Sequence, residues 1–173
     1  MTTNNSNRLE NVILSLEKVP IDTKEMTFAM ARSMSEIEII KFFNQKAIDL
    51  FNFMIAVTKK LGKEQECNNV MGYKTLFDNA LKINAKLPLD KFTLIILEYA
   101  AEIYAQNEDC FLKMTIPDTK VNINNEFGLI RSEMFKDLWK ISGKKDREEV
   151  ADIVILLTTF AHAHLYKTIL TKK

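Results

Sequence analysis

Glycine and proline are scarce in this chain, with four Gly and three Pro among its 173 residues. Sheet-rich folds turn often, and most turns need one of those two residues, so their scarcity excludes a many-stranded β architecture and favours long helices. Cysteine is rarer still. The two present, Cys67 and Cys110, stand far apart and form no CxxC pair, which removes a disulfide framework and a zinc site and fits a reducing compartment such as the cytosol. Charge of one sign is also lacking. Lys plus Arg total 24 and Asp plus Glu total 23, a formal net charge of +1, so no global field draws nucleic acid or an anionic membrane. The densest basic cluster, Lys144, Lys145 and Arg147, reads as a solvated loop. No apolar run is long enough to span a bilayer. The most apolar one, from Ile153 to Ala161, is bracketed by Asp152 and His162 and reads as a core helix. The polar start, Met1 to Asn7, has no apolar core of a signal peptide.

What is present is apolar residue in helical register. Hydrophobic residues make up 47% of the chain, enough for one globular domain with its own core. Residues 1–7 read as a flexible tail and 8–173 as a single helical domain. Leu9, Val12, Ile13 and Leu16 give a short first helix that Pro20 ends. Asp22 or Thr23 can cap a second through Met34. Ser35 with Glu38 forms a capping box for a long helix to Leu61, closed by Gly62. Further helices are expected over 69–86, ended by Pro88, over 91–107, capped by Asp90, and over 125–141, begun by Asn125 and closed by Gly143. The stretch 110–125, with Pro117, Asp118 and three Asn, reads as a long loop. Asp146 with Glu149 starts a last helix that runs nearly to the C-terminus. The expected architecture is therefore all-α, a single bundle of about seven helices with one long loop, and helices 35–61, 91–107 and 147–170 at its centre.

Helix 35–61 is apolar over most of its circumference. Its polar stripe is Glu38, Lys41, Gln45, Asp49 and Asn52. A helix this greasy is either enclosed or meets a partner. Ile39, Phe42, Phe53 and Val57 lie outside the main apolar stripe, so they are the expected partner-binding residues. His162 and His164 are roughly 160° apart on a regular helix at about 100° per residue, so they cannot ligate one metal. His164 shares the apolar face of Ile153, Leu157 and Phe160 and is expected to be a hydrogen-bonded core residue. There is no P-loop, GxGxxG or HExxH.

Two acidic pairs stand out. Glu98 and Glu102 are one turn apart, and Glu149 and Asp152 also share a face. Two such pairs on packed helices could hold Mg²⁺ through hard oxygen ligands and bridge a triphosphate. The runs Leu97-Glu98-Tyr99-Ala100-Ala101-Glu102 and Glu148-Glu149-Val150-Ala151-Asp152-Ile153 resemble the acidic helices of all-α nucleotide pyrophosphohydrolases of the MazG and dimeric dUTPase kind. The second run matches that family's ExxD helix. The first departs from it, with Tyr99 where a further Glu is common. The same carboxylates also fit a plainer role, as the wet side of one helix and the favoured negative end of another.

The C-terminal half carries a second resemblance. Ile96-Leu97-Glu98-Tyr99, the run from Ile103 to Leu112, and Phe135-Lys136-Asp137-Leu138-Trp139-Lys140 are similar to segments of small helical proteins of large cytoplasmic DNA viruses. The richness in Lys, Asn and Ile suits an A+T-rich genome of that kind. This resemblance implies a virion or virus-factory protein that acts through contacts, in the host cytoplasm or the particle. The expected function is thus a non-enzymatic interaction or structural protein, binding another protein or its own copies, with no nucleic acid, no membrane span and no cofactor. The alternative is a Mg²⁺-dependent nucleoside triphosphate pyrophosphohydrolase.

Overall fold

The structure is a computed structural model and describes residues 10, 12–97, 100–105, 140 and 142–170. It is all-α, with no strand among the described residues. Residues 12–17 are helical and Pro20 follows them. Pro20 then opens α1 (Ile21–Ser33) from the N-cap position. Asp22 and Thr23, expected as caps, lie inside that helix and no side chain caps it. Proline suits the spot because a helix start leaves its first N–H groups unpaired anyway.

Only Met34 and Ser35 separate α1 from α2 (Glu36–Lys60). The capping box forms as expected. The Glu38 amide donates to Ser35 Oγ at 3.1 Å, and the Ser35 amide donates to Glu38 Oε1 at 3.0 Å. Those two bonds also hold the Glu38 carboxyl below its ordinary range. At the far end Gly62 adopts φ +69°, the left-handed conformation that glycine takes at least cost. Its amide donates to Lys59 O at 3.1 Å and the next one, of Lys63, to Thr58 O at 2.8 Å, the paired bonds of a Schellman turn.

That turn leads straight into α3 (Glu64–Ile83), which therefore starts earlier than the expected Asn69. Glu64 and Glu66 in its first turn complement the helix dipole. Pro88, expected to end this helix, instead occupies the first turn of α4 (Leu87–Ile96). Asp90 is also inside α4, where its amide donates to Lys86 O at 3.0 Å. The helix expected over 91–107 is divided. α4 tightens at buried Leu97, and α5 covers Ala100–Tyr104. The expected loop 110–125 and most of the expected helix 125–141 lie outside the described residues. Gly143 is the N-cap of α6 (Lys144–Leu165); the helix it was expected to close lies almost wholly outside the described residues. Asp146 sits in the first turn of α6 and makes no side-chain cap. A single π-helical stretch, Tyr166–Leu170, follows directly.

α6 is the hub, packed against α1, α2, α4 and α5. Its pairing with α2 is antiparallel: Glu36 at the start of α2 meets His164 at the end of α6, and Phe42 stacks on Phe160. α2 buries Ile39, Phe43, Ala47, Phe51, Met54 and Val57, one face at helical spacing. α6 differs along its length. Val150, Ile153 and Val154 form one face, but from Leu157 to Leu165 every residue is buried. Aromatic contacts tie the layers together, with Phe43 edge-on to Phe92 at 5.3 Å and Phe51 beside Phe77 at 5.5 Å between ring centres.

Phe51 is 8% exposed and sits between α2 and α3. Phe51→Ala is expected to cost about 3–5 kcal/mol, the transfer loss plus the cavity left behind. Urea unfolding followed by circular dichroism checks this, and an unchanged midpoint would place the ring outside the core.

Candidate functional site

Of the four carboxylates proposed as metal ligands, three are described. Glu102 is exposed on α5, and Glu149 and Asp152 are exposed on α6. α5 meets α6 where Tyr104 approaches His162, ten residues beyond Asp152, or about 15 Å along a helix rising about 1.5 Å per residue. Among the described residues no three of His, Cys, Asp and Glu gather as a metal group. Glu98 lies outside the described residues. Cys67 is buried on α3, and Cys110 is not among the described residues.

The partner-face residues separate into two kinds. Ile39 and Val57 are core, because the apolar face of α2 is wide enough to take both inward; this corrects their expected place on a partner-binding surface. Phe53 is half-buried. Phe42 is 47% exposed, with its ring 6.0 Å from that of buried Phe160 and tilted by 14°. Leu156, one turn before Phe160, is 38% exposed. Phe42, Phe160 and Leu156 thus carry the α2–α6 seam out to the surface as an apolar edge.

The most unusual chemistry lies inside. The fully enclosed end of α6 contains two histidines that face opposite ways. His162 is 0% exposed. Its Nδ1 is 3.3 Å from the Tyr104 hydroxyl, and its Nε2 has no hydrogen-bond partner among the described residues. The ring lies 4.4 Å from that of Tyr166, which stacks flat on Phe28 at 3.9 Å. Burial, with a smaller push from Lys24, drives the His162 pKa down to about 4. Burial likewise pushes Tyr104 up to about 12. At neutral pH the pair is therefore an uncharged imidazole and a phenol, and the phenol can donate to Nδ1.

His164 points to the other side. Its Nε2 is 2.9 Å from Glu36 Oε2, and Lys86 Nζ is 3.8 Å from the same oxygen. Burial lowers the His164 pKa and outweighs the hydrogen bond and charge of Glu36, which raise it. Asp90, also nearby, is raised by its own burial, with Lys86 opposing. The expectation of a hydrogen-bonded core histidine holds for His164, and His162 joins it inside. Sequence reasoning missed their partners. Glu36 is separated from His164 by most of the chain, and Tyr104 carries no motif, so neither was visible without the packing.

No described helix is long and apolar enough to cross a membrane. No family model matches the chain, and no solved structure matches it. One curated relative, named "Uncharacterized protein R465" of Acanthamoeba polyphaga mimivirus, is 61% identical over 171 residues, covering 96% of this chain and 94% of the relative. That relative bears out the resemblance to proteins of large cytoplasmic DNA viruses.

The state of His162 has a thermodynamic consequence. Unfolded, it titrates near 6.5; folded, near 4. Between those values the unfolded chain holds more protons, so stability is full above the higher value and falls as pH drops toward the lower one. At about 1.4 kcal/mol per pH unit the loss reaches about 3 kcal/mol. Urea unfolding at neutral pH and near pH 4.5 should show this fall, and His162→Gln should flatten the His162 part of it. An equal pH slope in the variant would assign the loss to other groups.

Proposed function

The chain belongs to the family of the mimivirus protein R465, and we propose that it is a non-enzymatic helical interaction or structural protein, a virion-assembly or virus-factory component that acts in the host cytoplasm or the particle. The observation that carries this reading is the apolar edge at the α2–α6 seam. Phe42 keeps nearly half its surface in water although its ring already stacks on a core ring. A further protein surface laid over Phe42 and Leu156 would extend the core outward and remove that apolar area from water, at roughly 25 cal/mol per Å². The polar cluster of α6 points the same way, because its imidazoles are sealed inside and engaged in packing. The partner is a second copy or another protein of the same virus.

Phe42→Glu tests this directly. It places a charge at a contact that must be dry to form, while the exposed position tolerates the change in the isolated chain. Sedimentation of the wild-type protein should show an oligomer, or co-purification with the other viral proteins a stoichiometric partner, and Phe42→Glu should abolish either while circular dichroism shows the helical fold retained. A wild-type chain that sediments as a monomer and takes no viral partner would overturn the proposal.

A further inference from the structure

The two histidines of α6 clamp opposite sides of one buried helix end, and their surroundings are electrostatically opposite. On one side His162 meets α1, α5 and the π-helical stretch. The groups facing it there are Lys24, Tyr104 and Tyr166. Among the described residues none of these is an anion at neutral or mildly acidic pH, and none partners the Nε2 atom. Lys167, on the same stretch, spends its ammonium on Ala31 O of α1 at 2.9 Å. On the other side His164 meets Glu36 at the start of α2, with Lys86 and Asp90 beside it at the start of α4. There a carboxylate already touches the imidazole.

We infer that α6 is an acid-sensitive latch with one releasing side: protonation frees α1 and α5 from the His162 face while the His164–Glu36 face keeps α2 and α6 together. The physical cause is the difference in partners. A proton on His162 creates a buried cation with a lysine in range and no counter-charge among the described residues, and such a charge is relieved by letting water in. Water enters by separating the Tyr104 and Tyr166–Phe28 contacts from the imidazole. A proton on His164 instead turns its contact with Glu36 into a charge-assisted hydrogen bond. Burial still disfavours that proton, but Glu36 offsets part of the cost, so acid loosens the His162 face more than the His164 face. An ordinary acid unfolding would loosen both together.

The test is backbone hydrogen exchange read by mass spectrometry on the full chain from about pH 7 to about pH 4.5, corrected for the intrinsic pH dependence of exchange. Protection in α1 and α5 should fall by at least about tenfold more than protection in α2. His162→Gln should remove that difference, and His164→Gln should retain it. A loss of protection that is uniform across α1, α2 and α5, or one that persists in His162→Gln, would overturn the inference. The wild-type protein supplies an independent check that needs no variant. The magnetic-resonance cross-peak between the His162 and Tyr104 rings should vanish along the same pH curve as the His162 ring titrates. A cross-peak that survives protonation would refute the latch.

Discussion

A helix end buried on every side has no polar face to spend on water, and the arrangement of this protein follows from that constraint. From Leu157 to Leu165 α6 exposes nothing, so each polar side chain in the stretch must find its partner within the protein. The threonines solve this locally. Thr158 and Thr159 donate to carbonyls one turn back, at 2.8 Å each, and Thr159 also reaches the Tyr104 hydroxyl. The imidazoles cannot fold back in this way and must reach other helices. His162 takes Tyr104 from α5, and His164 takes Glu36 from α2. Ala161 and Ala163, both fully buried, add little bulk between them and let the surrounding helices come close. The neighbours of α6 are thus placed by polar satisfaction as well as by apolar burial.

The unpaired Nε2 of His162 shows that this solution is incomplete. An unsatisfied buried polar atom costs on the order of 1–3 kcal/mol, and apolar residues of similar size would fill the site without it. The structure tolerates the cost because the ring also contributes packing, held between Tyr104 and Tyr166, with Phe28 flat against the latter. His164 carries less of a burden. Its carboxylate partner is 43% exposed, so Glu36 retains part of its hydration while the imidazole lies inside. Two histidines two residues apart therefore occupy quite different electrostatic environments, a contrast set by which helix each one faces.

Local signals were readable in the sequence where one short segment decides the outcome. Ser35 and Glu38 specify a helix start by themselves, and Gly62 specifies its end, because the partners lie within a turn or two. The all-α class was equally legible from scarce Gly and Pro and long periodic runs. The sequence does not tell whether Pro88 ends one helix or begins the next, because proline does either with the same chemistry and only the position of Leu87 in the following helix decides between them. The candidate site was much less legible. Periodicity placed His164 inside but could not supply Glu36, since no spacing rule links residues on different helices. For Ile39 and Val57, periodicity fixes the direction of a side chain and leaves open how far the neighbouring helices wrap around it, which is why only the packing shows them buried.

The apolar edge and the polar cluster share a residue, and this joins surface contact to internal state. Phe160 is the core ring beneath exposed Phe42, and it lies one turn before His164 on the same helix. Phe42 in turn follows Glu36 along α2. The exposed stack and the His164–Glu36 contact are therefore successive links across one antiparallel pair of helices. A protein seated on Phe42 would press on the α2–α6 seam, the side of the hub that carries its own counter-charge. It would not touch the His162 face, where among the described residues the imidazole meets phenols, a stacked ring and a lysine. Binding at the edge and proton uptake at the opposite face thus act on different seams of the same helix. α6 can stay docked through α2 while its contacts with α1 and α5 change, since nothing in the first seam depends on the protonation of the second.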